Sequence, residues 1–468
     1  MLLDTEYSLF NGAFRDKRLD RRVGNFLKSM VTHESAIINQ CCESKTEKIG
    51  AYRMINNSGL ELDSMVKRLQ EDCVRQIHGS HVLCIQDTTE INYTRLVNRL
   101  DADDPDIGPM CCSSSKGFFC HPTLVIDAVS RVPLGFSNVR LWSRPMNAGN
   151  KHSRNYSKKK IADKESYRWI ESSRTSSRVL PQEVTKTIIA DRESDIYEAL
   201  YQIPRIGCEF LLRSSADRKI DNEECHLLEK MLSLPCSHTY ELKVKGNHSR
   251  KSRTAKMELR FGKVTLQRPD KVTVEYPGNL TVNCIHVVEK GETIPVNESP
   301  IEWRLLTTHT VENAEDAMQC VEWYKLRWYI EEVFRLLKSD GMNVESAQLE
   351  TGEALQKTVV LSLVAALQIM SLKLSYDRRD EQTAVTLVFT ALQISLLKVL
   401  LRMVEGKTAK QKNPFKQDSL AWAAWIIARL GHWDGYGSQD PPGYITFKRG
   451  MQRFWDRFEL YQFVKEDV

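Results

Sequence analysis

Apolar residues along this chain change their spacing three times, and each change marks a different kind of element. Over the first eighty residues they recur three and four apart. In LFNGAFRDKRLDRRVGNFLKSM, Leu19, Val23 and Phe26 form one stripe, while Arg15, Lys17, Arg18, Arg21, Arg22 and Lys28 form a basic face, which predicts a helix. GAYRMINN and LELDSMVKRLQEDCVRQIHG continue the helical pattern. Short apolar runs follow. HVLCIQDTTEINYT predicts a strand running into Asp87, Thr88 and Thr89, and FFCHPTLVIDAV and VPLGFSNVRLWS predict two antiparallel neighbours. A polar, lysine-rich loop from Asn147 to Lys164 leads to a helix in KESYRWIESS. TKTIIADRESDIYEAL predicts a strand ending at Asp191 with a helix behind it, and CEFLLRSS predicts another strand. From about Leu227 to Thr308 the pattern alternates in TYELKV, AKMELRFGKVTL, KVTVEYP and LTVNCIHVVEK, separated by turn signals. The chain returns through EWRLLTT to a helix, and beyond Leu349 it is helical apart from the linker GKTAKQKNPFKQ. Strands interleaved with helices, with acidic residues at strand ends, predict a mixed α/β sheet whose site lies at the strand tips.

A length of 468 residues implies two to three domains. Hydrophobic residues at 41% and charged residues at 27% are ordinary for a globular protein. The net charge of +5 reflects 66 basic residues nearly matched by 61 acidic ones, so charge alone does not point to nucleic acid. MLLDTEYSLFNGAF is acidic early and has no long apolar core, unlike a signal peptide. The stretch Val359–Leu374 is interrupted by Ser362, Gln368, Ser371 and Lys373, which predicts a buried helix rather than a membrane span. The 12 cysteines include no CxxC pair, as expected of reduced thiols in a cytoplasmic protein. Cys111, Cys112, Cys120 and His121 match no zinc spacing.

Within YKLRWYIEEVFRLLK, Tyr324, Arg327, Glu331 and Lys338 fall at offsets 0, 3, 7 and 14. On one α-helix at about 100° per residue they would share an arc of roughly 60°, whereas Glu332 would sit roughly 80° from Tyr324. The ordinary alternative is a surface helix with scattered charges. Against it, Trp, Phe, Leu and Ile occupy most other angles, so the stripe lies on a largely buried helix. A tyrosine, two cations and a carboxylate in that setting suit a phosphodiester and a metal ion.

Asp87, Asp191 and Glu331 thus occupy distinctive places. Two-metal phosphoryl transfer needs carboxylates from different elements around two ions about 4 Å apart. An Asp before a helix is also an ordinary N-cap, the plainer role for Asp191. The segments IQDTTEINY, IIADRESDIYEAL and YKLRWYIEEVFRLLK resemble the three signature blocks of bacterial cut-and-paste transposases of the DDE class, the last with the Tyr-Arg-Glu-Lys signature at full spacing. The similarity extends in order to GAYRMI, KGFF, IEWRLLT and SLAWAAWIIARLGHW, so it covers nearly the whole chain.

The resemblance implies an α/β fold. An RNase H-like catalytic core, a mixed sheet flanked by helices, would span 66–365 and carry an all-β insertion at about 227–308. A helical domain at 1–65 would read the transposon end, and a helical domain at 366–468 would dimerise. Asp87, Asp191 and Glu331 would hold two Mg²⁺ ions, with Mn²⁺ as a substitute. The implied partners are transposon-end duplex DNA, target DNA and a second copy in a homodimer, with no membrane role. The implied setting is the bacterial cytoplasm, at the nucleoid when DNA is bound, and the implied reaction runs through a 3′-hydroxyl and a hairpin intermediate. Trp303 matches a tryptophan that receives a flipped base. Tyr324, Arg327 and Lys338 match phosphate-holding residues, and Arg22, Arg53 and Arg213 match arginines that contact DNA.

The chain also departs from the pattern. After Lys338, SDGMNVESAQLETGE is acidic where the relative it resembles has several arginines, and GNHSRKSRTAK (Arg250, Lys251, Arg253, Lys256) is the candidate replacement. Two other functions compete. A catalytically idle DNA-binding relative would have lost an acid or the N-terminal helices, and neither is missing. An RNase H-fold nuclease without strand transfer has no use for the Tyr-Arg-Glu-Lys stripe and Trp303.

Overall fold

The helical spacing of the first eighty residues becomes α1 (Lys17–His33), α2 (Ile38–Cys41), α3 (Lys45–Ile55) and α4 (Leu62–Arg75). The structure, a computed structural model, describes residues 9–466 except 34, 102, 113, 147–158, 222, 245, 247–250, 339–340 and 437–439. Strands β1 (His81–Gln86), β2 (Thr89–Asn92), β3 (Gly108–Pro109), β4 (Lys116–Asp127) and β5 (Pro133–Trp142) follow. Helices then alternate with strands: α5 (Arg168–Val179), β6 (Thr185–Ala190), α6 (Tyr197–Arg205), β7 (Glu209–Arg213) and α7 (Leu227–Ser233). Next come β8 (His238–Val244), β9 (Arg253–Gln267), β10 (Asn279–Glu289) and β11 (Glu302–Thr307). The rest is helical: α8 (Ala314–Lys325), α9 (Trp328–Leu337), α10 (Gly352–Asp377), α11 (Ala391–Val404), α12 (Leu420–Leu430) and α13 (Tyr444–Glu466). The chain forms two units, one of Met1–His78, Thr88–Lys151 and Tyr329–Val468, the other of Gly79–Asp87 and His152–Trp328.

In the first unit, local signals set the helix starts. Ser44 and Glu47 form a capping box on α3. Buried Asp20 of α1 accepts the N–H groups of Gly12 at 3.0 Å and Phe14 at 2.9 Å, tying the incoming chain to the helix. β4 is the central strand, with β2, β3 and β5 all antiparallel to it. α4 packs on β5 at Gly135, whose φ is +144° and where an added Cβ would lie 2.9 Å from that of Cys73. Only glycine satisfies both conditions without strain. α10 is apolar on every face, which demands burial all round, and 94% of its apolar stretch is buried inside the protein. The expectation of a core helix there holds. α12 packs on α10 and α13, and its Trp422 and Trp425 are buried. α13 differs, exposing Leu460, Phe463 and Val464 near its end.

The second unit is built on a mixed sheet in the order β1-β6-β7-β11-β10-β9-β8. β1, β6 and β7 run parallel, and each later pair is antiparallel. Parallel neighbours need crossovers, and α6 makes the one between β6 and β7. α5 packs on β1 and α6 on β7. The segment 227–308 opens with a helix, α7, which buries Leu227 and Met231. Its strands β8 to β11 extend the same sheet through the β7–β11 pairing. KVTVEYP, expected as a strand, is a series of turns: Val272 N–H bonds Pro269 O, and Tyr276 N–H bonds Thr273 O. Prolines on both sides deny it a ladder, and Val274 is exposed.

A candidate catalytic site at the strand tips

β1 and β6 place Ile85 opposite Ile189. Asp87 and Asp191 each stand two residues beyond that pair, so both leave the same sheet edge, from strands about 4.8 Å apart. β7 ends at this edge with Arg213, and β11, antiparallel to it, begins there with Glu302, Trp303 and Arg304. Asp87 Oδ2 accepts from Arg327 Nη1 at 2.9 Å, with both side chains 15% exposed. Asp191 Oδ1 accepts the Glu193 N–H at 2.9 Å and caps the turn Arg192–Ser194. The capping role is therefore real, but it uses one oxygen. Glu193, the other acid of that turn, is bound by Arg168 at 2.6 Å.

Tyr324 is buried and hydrogen-bonded to Arg213; burial raises its pKa, with Arg327 and Arg213 opposing. Burial lowers the Arg213 guanidinium, and the cations of Arg192 and Arg327 press the same way. The Trp303 ring meets that of Tyr324 at a tilt, with centroids 6.1 Å apart. Trp303 is only half-buried, so it is not sealed in the core. The second unit thus gathers Asp87, Asp191, Arg213, Trp303, Tyr324 and Arg327.

The expected single helix is a correction. Tyr324 lies at the end of α8, and the Leu326 and Arg327 N–H groups bond three residues back, to Trp323 O and Tyr324 O at 3.0 Å each. These tight bonds end α8 at Lys325, and α9 starts afresh at Trp328. Arg327 sits in the turn between them, where its side chain reaches Asp87, and the 100° progression behind a common arc is broken. Glu331 lies in the first turn of α9 and Lys338 one residue past its end, both in the first unit. Lys338 Nζ is 3.6 Å from Glu345 Oε1, which also accepts the Asn92 N–H at 2.9 Å. Arg22 on α1 and Arg53 on α3 are exposed, also in the first unit.

Two of the four cations in the basic segment are paired with glutamates. Arg253 binds Glu289 at 3.0 Å and Glu298 at 2.8 Å, and Lys256 binds Glu292 at 3.0 Å. Arg250 and the loop 147–158 lie outside the described residues. Sequence reasoning passed over the pair Asp195–Arg218. Asp195 accepts the N–H groups of Ser215 at 2.7 Å and Ala216 at 3.0 Å, and it is ion-paired with buried Arg218. Burial pushes the Asp195 carboxyl up, but Arg218 and these N–H groups hold it below the ordinary value. The pair clamps the loop after β7. Its only sequence signal was an acid four residues after Asp191 and an arginine five after Arg213.

A family model described as a transposase DDE domain matches residues 121–368, more than half of the chain. The match spans Asp191, Arg213, Trp303 and the segment from Tyr324 to Lys338, and starts after Asp87. The chain belongs to the DDE transposase family. A second model, described as transposase DNA-binding, matches residues 9–60, which carry Arg22 and Arg53. The protein is accordingly a DNA transposase, with DNA as its partner. Transposases of this class work with divalent metal ions in general, and the donors at this edge fit one. Two aspartates offer hard oxygen ligands on neighbouring strands, and Arg327 already sets a positive charge against Asp87. Among the described residues no group of three or more His, Cys, Asp or Glu forms a ready-made cage.

Proposed function

We propose that this transposase binds the ends of its own transposon, cleaves them by two-metal phosphoryl transfer through a 3′-hydroxyl and a hairpin, and joins them to target DNA. The observation that carries the reading is the pair Asp87 and Asp191, leaving one sheet edge from neighbouring parallel strands beside Arg213, Trp303, Tyr324 and Arg327. Asp87 and Asp191, with Glu331 of α9 as third ligand, would hold two Mg²⁺ ions, which supply Lewis-acid stabilisation of the attacking and leaving oxygens when bound. The Tyr-Arg-Glu-Lys signature aligns the chain with the transposase of the kanamycin-resistance composite transposon.

Tyr324, Arg327 and Lys338 grip phosphates in this reading, with Arg327 releasing Asp87 as DNA arrives. Arginine suits bidentate contact and lysine a point-charge contact. Trp303 stacks a flipped base and keeps the backbone bent while the 3′-hydroxyl attacks the opposite strand. Residues 1–65 read the end sequence through Arg22 and Arg53, and residues 366–468 pair two copies. α12 is buried, so the exposed apolar end of α13 is the surface that fits this pairing. The test is incubation with end DNA and Mg²⁺, with nicked, hairpin and joined products resolved on a gel. Asp87→Ala, Asp191→Ala and Glu331→Ala should each abolish cleavage while leaving end binding largely intact. Any one of them cutting within about tenfold of the parent rate removes that residue from the ligand set. Nicked ends without hairpin or joined products favour the nuclease reading.

A further inference from the structure

Arg192, Arg213, Ser214, Ser215, Glu302 and Arg304 line a cleft of about 170 Å³. It lies at the sheet edge that carries Asp191: Arg192 follows that aspartate, Arg213 ends β7, and Glu302 and Arg304 open β11. Its lining carries three guanidinium groups and one carboxylate, with Asp217 behind Arg304 as the second acid. Glu302 is also partly spent, since its Oε1 meets His286 Nε2 at 2.9 Å and Arg304 Nε at 3.8 Å.

Arg304 shows what the cleft lacks. Its side chain is 16% exposed and its Nη1 lies 3.5 Å from Asp217 Oδ1. That is an ion-pair distance, yet among the described residues Nη1 is a buried nitrogen without a hydrogen-bond partner. A buried, unsatisfied N–H on a charged group is costly, and it leaves the Arg304 charge only partly compensated in the wall of the cleft. Arg213 gives Nη2 to Glu302 O at 2.7 Å and bonds the Tyr324 hydroxyl, and neither contact neutralises its charge. The Ser214 and Ser215 hydroxyls donate to Asp195 Oδ2 at 3.1 and 3.4 Å, so with Arg218 they hold the loop that carries Arg213 rather than serve the anion.

Size selects the anion. Pockets for whole small molecules run from about 300 Å³ upward, so this cleft takes a phosphate group and leaves the sugar and base outside. We propose that the cleft is a phosphodiester-binding site for a DNA strand, with Arg304 and Arg192 joining Arg213 as its phosphate-holding residues. The proposal rests on the transposase reading and adds a grip next to Asp191 that would fix where the strand lies relative to that carboxylate.

The experiment uses the full-length protein and a duplex carrying the transposon's terminal sequence, with single phosphates replaced in turn by neutral methylphosphonate. One position should weaken binding to the parent roughly 10- to 100-fold. Arg304→Ala should weaken binding to the unmodified duplex by a similar factor, become indifferent to the substitution at that position alone, and lower the slope of log affinity against log salt by about one. Arg304→Lys should recover part of the loss. If Arg304→Ala does not fold, exposed Arg192→Ala carries the same test. A variant that keeps the parent's slope and its sensitivity at every phosphate overturns the cleft while leaving the transposase reading intact. A parent that neither binds nor cuts the duplex overturns both. Inorganic phosphate provides the other arm. If it raises the Tm in an Arg304-dependent way while no methylphosphonate position is sensitive, the cleft takes a free anion and the DNA proposal falls.

Discussion

Replacing Arg327 with methionine removes the guanidinium from Asp87 while keeping most of the aliphatic stem. The two groups meet at 2.9 Å and each is 15% exposed. At an effective dielectric of about 20 the gross attraction is about 6 kcal/mol. Desolvation of both ions cancels much of it, and breaking fully buried pairs costs about 3–5 kcal/mol against about 0–1 kcal/mol for surface pairs. A pair this far buried should lie between, so Arg327→Met should lose about 1–3 kcal/mol in protein free of metal and DNA. For a unit of this size that is a Tm drop of roughly 2–12 °C.

The metal response separates this from a simple packing loss. In the parent, a divalent ion must displace Arg327 from Asp87; in the variant it need not. Mn²⁺ should therefore raise the Tm of Arg327→Met more than that of the parent, by linkage to its tighter binding. The assay is thermal unfolding across a Mn²⁺ titration without DNA, repeated on Asp87→Asn and on the double variant, where the difference should vanish. DNA cleavage by Arg327→Met should still fall, because the phosphate grip is gone. An Arg327→Met protein as stable as the parent and with the same Mn²⁺ response would refute the idea that Arg327 holds Asp87 in the resting state.

Trp303→Ala should slow hairpin formation more than the first nick, by roughly five- to 150-fold if a stacking energy of about 1–3 kcal/mol is expressed in the transition state. An abasic nucleotide at the flipped position should partly restore it, whereas equal slowing of both steps on a gel time course would make Trp303 a packing residue. Leu460→Asp combined with Phe463→Asp should leave end binding intact but reduce two-chain complexes in light scattering, since both side chains are exposed on α13; unchanged pairing would move the dimer surface elsewhere. Burial lowers the imidazole pKa of His286 and His309. Both are neutral in either state well above the ordinary value of about 6.5, while below it the unfolded chain takes up protons first, so stability should be flat above about pH 7 and fall as pH drops. His309→Gln should flatten that fall in denaturant titrations, and an unchanged pH profile would count against it.

Much of this protein is legible along the chain because it depends on neighbours in sequence. The strands running into Asp87 and Asp191 and the buried apolar α10 follow from spacing that a few residues decide. Asp87 and Asp191 were visible too, because each sits where an apolar run stops. KVTVEYP shows the limit: alternation alone does not make a strand when prolines deny it a partner. The Tyr-Arg-Glu-Lys segment shows it again, since a helical wheel assumes a continuous helix and the bonds at Leu326 and Arg327 end one. Arg213 and Arg327 were named from the sequence, but which other cations stand beside them was beyond it. Arg253 and Lys256 looked available and are held by glutamates, while Arg304, unremarkable in IEWRLLT, is left with an unsatisfied nitrogen beside Arg192 and Arg213. Partners of charged side chains are chosen by residues tens or hundreds of positions away. Only the assembled sheet sets the distances on which desolvation and attraction depend, and that is why tertiary structure decided them.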